Sequence, residues 1–366
     1  MGDSWGRIAL VWTMAAGALA CGPGHPPEPP APVRVSTPSR IVPPSGDGGL
    51  AAAPLEPPGL PAPPRPWFWP AVRVTPRTPR EGTAVAVHVT FPPGGREPAA
   101  ILADLSGRPV RLARLRDGWF GLGALPIGAS GTRLLRLRHR VSRDSVLEQS
   151  LLVQVRPGAF PFTALRVEPD FAAPPPATLA RIRRERERIR AVLGRFTPNW
   201  LVDAGFAWPR PPRFTSPFGQ RRLFNGNLRS RHLGLDLAGH RGDPVRAAAS
   251  GRVALTGNFY YQGNAVYIDH GLGVYTGYFH FSRIDVREGE WVERGQILGR
   301  VGATGRVTGP HLHWSLYVAG ENLDPASLLD LDIPNGATDG GPPATTNRAG
   351  GPTRDEERNT MREEQR

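Results

Sequence analysis

The chain reads as a mainly β protein with two folded units, and three observations predict this. Short apolar runs alternating with polar residues fill residues 71–155. Glycines recur every few residues between β-rich runs over 214–330. Between the two lies one stretch, 179–196, whose apolar residues follow a helical period. At 366 residues the chain exceeds one ordinary core and has room for two domains of roughly 100 to 200 residues each.

At the N-terminus Arg7 is followed by the apolar run 8–20. That run is too short to cross a hydrocarbon core of about 30 Å as a helix and has the length of a signal-peptide core. It ends Ala18-Leu19-Ala20-Cys21, and Cys21 is the single cysteine, so no intramolecular disulfide exists and packing or a metal must hold the fold. The ending resembles the lipobox of bacterial lipoproteins, in which cleavage precedes an acylated cysteine. That resemblance implies a signal peptide over 1–20, lipidation at Cys21, and a membrane partner through the lipid anchor. An ordinary cleaved signal peptide is the alternative, and either exports the chain. Gly22 supplies no retention signal such as an aspartate, so the expected location is the outer membrane, facing the periplasm.

Many of the 42 prolines and 44 glycines lie near the ends, where too little apolar surface is clustered to offset the entropy of ordering. Residues 21–67 are therefore expected to be a disordered, proline-rich tether, extended at roughly 3.1 Å per residue where it is polyproline II. Residues 333–366 are expected to be a disordered tail. The formal charge is +13, and every basic residue is Arg. These arginines are scattered through all segments instead of forming one stripe, which argues against nucleic acid and suits cell-wall polymers or anionic head groups.

Residues 68–158 are expected to form an immunoglobulin-like β-sandwich. Val85, Val87, Val89 and Phe91 share one strand face, with Ala84, Ala86 and His88 on the other. A second run alternates Leu135, Leu137, His139 and Val141 with Arg136, Arg138 and Arg140, which makes the arginines a solvated face. Residues 110–115 and 146–155 supply further strands. His88 and His139 lack a partner at metal-ligand spacing and are expected to be ordinary strand residues.

Residues 159–200 form a connector. After Pro174 to Pro176, an amphipathic helix places Leu179, Ile182, Ile189, Leu193 and Phe196 on one face, with Gly194 and Pro198 as stop signals. Its arginines could contact anionic lipid, but Glu185 and Glu187 favour pairing within the helix. Residues 201–332 form the second, all-β unit, with a tight turn at His270-Gly271-Leu272-Gly273.

Two short patterns in that unit have metal-site spacing. In Arg231-His232-Leu233-Gly234-Leu235-Asp236, a strand would point His232 and Asp236 to one side and send Leu233 and Leu235 into the core. Gly234 would leave room for an ion and its water. In Gly309-Pro310-His311-Leu312-His313-Trp314, His311 and His313 share a face. His313 supplies a third ligand and His311 reaches the substrate side. Two imidazoles and a carboxylate leave a tetrahedral Zn²⁺ with one open position, the arrangement of a catalytic site. Zinc lowers the pKa of bound water from about 15.7 towards about 7 and polarises a carbonyl, so a proton acceptor is still needed nearby. His311 and His280, the latter in Thr276-Gly277-Tyr278-Phe279-His280, are both candidates. We assign the base to His311, and oxyanion stabilisation or protonation of the leaving amine to His280, with the division left open.

The residues around these motifs resemble the lysostaphin-type, or LytM, zinc metallopeptidases. The resemblance starts at Thr215-Ser216-Pro217-Phe218-Gly219-Gln220-Arg221 and runs through His232 to Asp236, Gly263-Asn264-Ala265-Val266 and the His280 motif. It continues through Gly295-Gln296-Ile297-Leu298-Gly299, Gly305 and Gly309 to His313, and ends at Asp324-Pro325. It implies a duplicated hybrid-motif fold and one zinc held by His232, Asp236 and His313. It also implies His280 and His311 as the catalytic pair, and an endopeptidase acting on peptidoglycan stem peptides. The alternative is a non-catalytic wall-binding module or an activator of other wall hydrolases. A lipoyl-type carrier fails, because the chain has no lysine.

His270 beside the turn is expected to be structural. Phe259, Tyr260 and Tyr261 are expected either to line the groove or to pack in the core.

Overall fold

Alternating side chains in eight strands build the first unit: β1 (Ala71–Thr75), β2 (Thr83–Thr90), β3 (Ile101–Leu105), β4 (Arg108–Val110), β5 (Ala113–Leu115), β6 (Gly118–Leu125), β7 (Gly131–Arg140) and β8 (Val146–Val155). The computed structural model describes residues 69–94, 97–140, 146–165, 174–224 and 227–334, all within one compact unit of the chain. The expectations for the signal peptide, Cys21, the tether and most of the tail fall outside the described residues.

The strands pair antiparallel into two sheets, β1-β2-β6-β5 and β4-β3-β7-β8. Val85, Val87 and Val89 of β2 enter a core shared with Leu105, Leu135, Leu137 and Val153 of the facing sheet. The other face of β2 is buried as well: Ala84 and Ala86 join Phe120, Leu122 and Ala124 in a second core with Trp200, Val274, Leu316 and Val318. Small alanine side chains let this sheet approach the C-terminal unit closely. Residues 110–115, expected as one strand, divide into β4 and β5, which belong to different sheets. Arg136 and Arg138 reach outward to Asp104 at 3.3 and 4.0 Å, while His139 packs edge-on against Phe91.

The connector contributes β9 (Phe162–Leu165) and helix α1 (Leu179–Leu193). Ile182, Ile189 and Val192 are its buried face, and Ile189 and Val192 pack with Leu255, Phe259, Tyr267 and Tyr275 in one core. Leu179, the first residue of the helix, is 42% exposed, and Phe196, expected on the same stripe, is 51% exposed because the helix ends at Leu193 before reaching it. Arg181 and Glu185 pair at 2.6 Å, one turn apart.

The C-terminal unit runs β10 (Phe214–Ser216), β11 (Arg221–Phe224), β12 (Asn227–Arg231), β13 (Leu235–Ala238), β14 (Pro244–Arg246), β15 (Gly251–Phe259), β16 (Gly263–Asp269), β17 (Val274–Ile284), β18 (Trp291–Val292), β19 (Ile297–Val301), β20 (His311–Val318) and β21 (Glu321–Leu323). Its main sheet is ordered β10-β13-β20-β17-β16-β15-β18, with β14, β19 and β21 attached. A smaller sheet, β12-β11-β9, draws in the connector, β9 lying parallel to β11. The expected turn joins β16 to β17 with positive φ at Gly271, Leu272 and Gly273.

Candidate metal centre

Antiparallel pairing of β13 with β20 places Asp236 directly opposite His313. His311 and His313 stand two apart on β20 and share a face, while Leu312 and Trp314 are buried behind them.

His232 reaches the same point differently from the single strand expected. It lies just beyond β12, pinned by its own backbone: its N–H donates to Gln220 O (2.9 Å) and its carbonyl accepts from Gly219 N–H (2.8 Å). The chain then turns through Leu233 and Gly234 before β13 begins. Leu233 is accordingly 44% exposed rather than in the core. Gly234 leaves room for a side chain, not for water, since a Cβ there would sit 2.2 Å from His313 Nε2.

His232 Nε2 lies 3.0 Å from Asp236 Oδ1, and His313 Nδ1 is 2.8 Å from the same oxygen. The two imidazole nitrogens face each other at 3.0 Å. Their outer nitrogens are committed elsewhere. His232 Nδ1 lies 3.0 Å from Pro217 O and 3.1 Å from Ser216 Oγ; His313 Nε2 lies 2.9 Å from Ser315 Oγ, which donates onward to Leu233 O. With protons on the outer nitrogens, two lone pairs and a carboxylate oxygen converge on one point, which suits a cation between them. Nitrogen and oxygen donors in threes fit zinc, whose tetrahedral ligands at about 2.0–2.1 Å stand about 3.3 Å apart. The three residues each bring one ligand atom within 4.8 Å of the others.

Burial opposes ionisation of Asp236, yet the neighbouring imidazoles of His232 and His313 outweigh it and hold its carboxyl far below the usual range. Burial lowers His313, against the pull of Asp236. The guanidinium of Arg222 approaches Asp236 Oδ2 at 3.7 Å.

Beside this cluster lie His280 and His311, ring centroids 4.9 Å apart. His280 has φ +68, an unusual conformation for a non-glycine residue. The pairing of β16 with β17 shifts register between Asn264 and Val266, so a bulge re-aims this imidazole. Its N–H donates to Gln262 O (2.9 Å) and its Nδ1 to Thr304 O (2.9 Å). Burial, with His313 and His311 adding, pushes its pKa down to about 3. His311 Nδ1 donates to Gly309 O (2.8 Å), leaving Nε2 3.6 Å from Asp236 Oδ1. In the neutral form of each imidazole, the Nδ1 contact leaves Nε2 with its lone pair.

The five residues inferred from sequence for the metal and catalytic roles, His232, Asp236, His280, His311 and His313, are brought together. Of the supporting residues, Ser216 and Gln220 fell within the Thr215 to Arg221 motif without a role, and Thr304 and Ser315 were not singled out. Ser315 carried a signal of its own, lying two residues beyond His313 on the same strand face. His270 is fully buried between Ser250 O (2.8 Å) and Thr276 Oγ1 (2.7 Å), away from the cluster. The aromatic run divides: Phe259 is in the core, while Tyr260 and Tyr261 are half-buried.

The family model for peptidase family M23 matches residues 230–325. The crystal structure of a peptidase M23 from Pseudomonas aeruginosa superimposes with a TM-score of 0.53 at 30% identity, covering 69% of this chain and 96% of that one. The chain belongs to peptidase family M23, the LytM or lysostaphin-type metallo-endopeptidases.

It is 44% identical over 123 residues to the peptidoglycan DD-endopeptidase ShyA of Vibrio cholerae, across 33% of this chain and 28% of that protein. It is 42% identical over 116 residues to the DD-carboxypeptidase/endopeptidase Mpg of Neisseria meningitidis, across 32% and 27%. The chain therefore spans less than a third of the length of these curated relatives.

Proposed function

We propose that the protein is a zinc-dependent endopeptidase that hydrolyses peptide cross-links of bacterial peptidoglycan. The observation that carries this is the convergence of His232, Asp236 and His313 on one point with His280 and His311 alongside. The substrate class is supported by the similarity to proteins named peptidoglycan DD-endopeptidases.

In this proposal His232, Asp236 and His313 hold one zinc, which when bound supplies a Lewis acid that polarises the scissile carbonyl and acidifies water. His311 Nε2, at the edge of the ligand cluster, accepts the proton of the attacking water. His280 Nε2 faces the same space and becomes a donor, to the developing oxyanion or to the leaving amine, only once it has gained a proton. The pair therefore works on a single proton, taken up as the new C–O bond forms and delivered to nitrogen as the C–N bond breaks. The deep burial of His280 keeps it neutral until then. Ser315, Pro217 and Ser216 orient the ligand rings through their outer nitrogens.

Residues 1–20 are proposed as a signal peptide and Cys21 as the lipidated N-terminus. Residues 21–67 then tether residues 68–158, an immunoglobulin-like sandwich, and 201–332, a duplicated hybrid motif, to the periplasmic face of the outer membrane. Residues 159–200 connect the two domains, and 333–366 form the tail. The support is the apolar run ending at Ala20-Cys21 and the proline-rich stretch after it.

The test is zinc content together with digestion of purified peptidoglycan. Wild type is expected to bind one zinc and release cleaved cross-links. His232→Ala should lose the metal, and His311→Ala should keep it and lose activity. Unchanged wall fragments with zinc-loaded wild type would instead assign the domain a binding or activating role.

A further inference from the structure

Strand β9 lies outside the segment 230–325 that matches the family model, yet side chains join it to the metal ligand His232. It runs parallel to β11 with Thr163 opposite Arg222, and Arg221 N–H donates to Pro161 O (2.8 Å). The ring of Phe160 closes over Gly219, where a Cβ would come within 2.1 Å of it. Gly219 N–H in turn donates to the His232 carbonyl.

A run of hydrogen bonds leads inward from this strand. Gln220 Nε2 donates to Thr163 Oγ1 (2.7 Å), Ser216 Oγ donates to Gln220 Oε1, and Ser216 Oγ lies 3.1 Å from His232 Nδ1. The inner end fixes the direction of each bond. The Pro217 carbonyl, 3.0 Å from Nδ1, can only accept, so Nδ1 carries the proton. Ser216 Oγ therefore meets an N–H, accepts from it, and turns its own hydrogen outward to Gln220. Only the amide oxygen can receive that hydrogen, which leaves the amide nitrogen for the Thr163 hydroxyl. Arg222 Nη2, a donor 3.4 Å from Ser216 Oγ, favours the same direction. With Nδ1 protonated, the His232 lone pair sits on Nε2, the nitrogen that faces Asp236 and His313.

We propose that Gln220 is a positioning residue of the metal centre and that Thr163 of the connector fixes its amide, so that β9 helps hold His232 in the tautomer that receives a cation. This rests on the proposed function only in that His232 is a metal ligand. Without the Gln220 acceptor, the hydrogen of buried Ser216 turns toward Nδ1. That favours the tautomer whose Nε2 carries a proton and rejects the cation.

The test measures the zinc affinity of the full chain by competition with a chelator. Gln220→Met keeps the length of the side chain and removes the acceptor; it is expected to bind zinc about tenfold more weakly. Gln220→Glu still accepts from Ser216 and adds negative charge, so it should bind at least as tightly as wild type. Thr163→Val, one bond further out, should lose about threefold. The melting temperatures of the metal-free proteins should move by no more than about 4 °C.

A space-filling Gln220 predicts the reverse order, with Met tolerated and the half-buried charge of Glu harmful. That order, or equal affinity in all four proteins, overturns the proposal. If Gln220→Met does not fold, the other two variants decide: Glu at or above wild type with Val below supports the role, and any other order overturns it. Digestion of purified peptidoglycan is assayed separately. If the affinities follow the expected order and no cross-link is cut, the hydrolase proposal fails and the positioning role stands. If cross-links are cut and Gln220→Met binds zinc like wild type, the positioning role fails and the hydrolase stands.

Discussion

Ser315 Oγ lies 2.9 Å from His313 Nε2, two residues along the same strand face. This contact leaves Nδ1 directed at Asp236. Ser315 is itself buried, and its hydroxyl is the partner of a ring nitrogen that would otherwise face protein without a bond. Ser315→Ala should therefore keep the fold and lower zinc affinity about 10- to 100-fold. Competition with a chromogenic chelator reads this directly, and unchanged affinity would mean that the strand alone fixes the ring.

Gly234 is the second constraint on the same imidazole. A Cβ at this position would lie 2.2 Å from His313 Nε2 and 2.7 Å from the carbonyl of Trp314. One neighbour is a ligand ring and the other is backbone, so neither yields freely. Gly234→Ala should cost about 1–3 kcal/mol of stability and also weaken zinc binding, because relief requires His313 to move. Thermal melts with and without added zinc check both, and the stabilisation by zinc should be smaller in the variant.

His270 supplies a pH dependence that does not involve the metal. Burial lowers its pKa from 6.5 to about 4, despite the hydrogen bond to Ser250 O. The unfolded chain thus binds more protons than the folded one between those values, so this contribution is intact above about pH 6.5 and is lost as pH falls towards 4. The loss is on the order of 3 kcal/mol when complete. In denaturant titrations at pH 7 and pH 4.5, His270→Gln should show a smaller drop in stability than wild type. An equal drop would place the acid sensitivity elsewhere.

The site was more legible in the sequence than the way the chain assembles it. A two-residue period sufficed to put His311 and His313 on one face, and it holds because β20 is regular there. The same rule applied to His232 and Asp236 gave the right neighbours by the wrong route, since Gly234 breaks the strand and local turns carry no period. His280 was recognisable by motif, but the positive φ that aims it depends on a bulge set by pairing with β16, which one strand's residues do not encode. On the sandwich, Ala84 and Ala86 read as the second face of an alternating strand, with nothing in a single strand to say that this face is covered. That cover is a tertiary fact, and it bears on what the sandwich does.

Phe120 and Trp200, ring centroids 5.1 Å apart, sit at the centre of that cover. Both are almost fully buried, in a core that also takes Leu316 and Val318 from the far end of the strand bearing His311 and His313. The sandwich thus backs the metal-site strand with apolar packing, and Asp324 N–H to Gly82 O (2.7 Å) and Arg108 to Glu321 (2.8 Å) add polar contacts along the same seam. Truncating Phe120 should act on both units together: Phe120→Ala is expected to cost about 3–5 kcal/mol. Calorimetry should show one transition moving down in temperature. If two transitions appear and only the one assigned to the sandwich moves, the units melt independently, and the seam does not support the strand. If one transition moves, removing residues before Phe214 should leave Leu316 and Val318 facing water and yield an aggregating protein instead of an activated one.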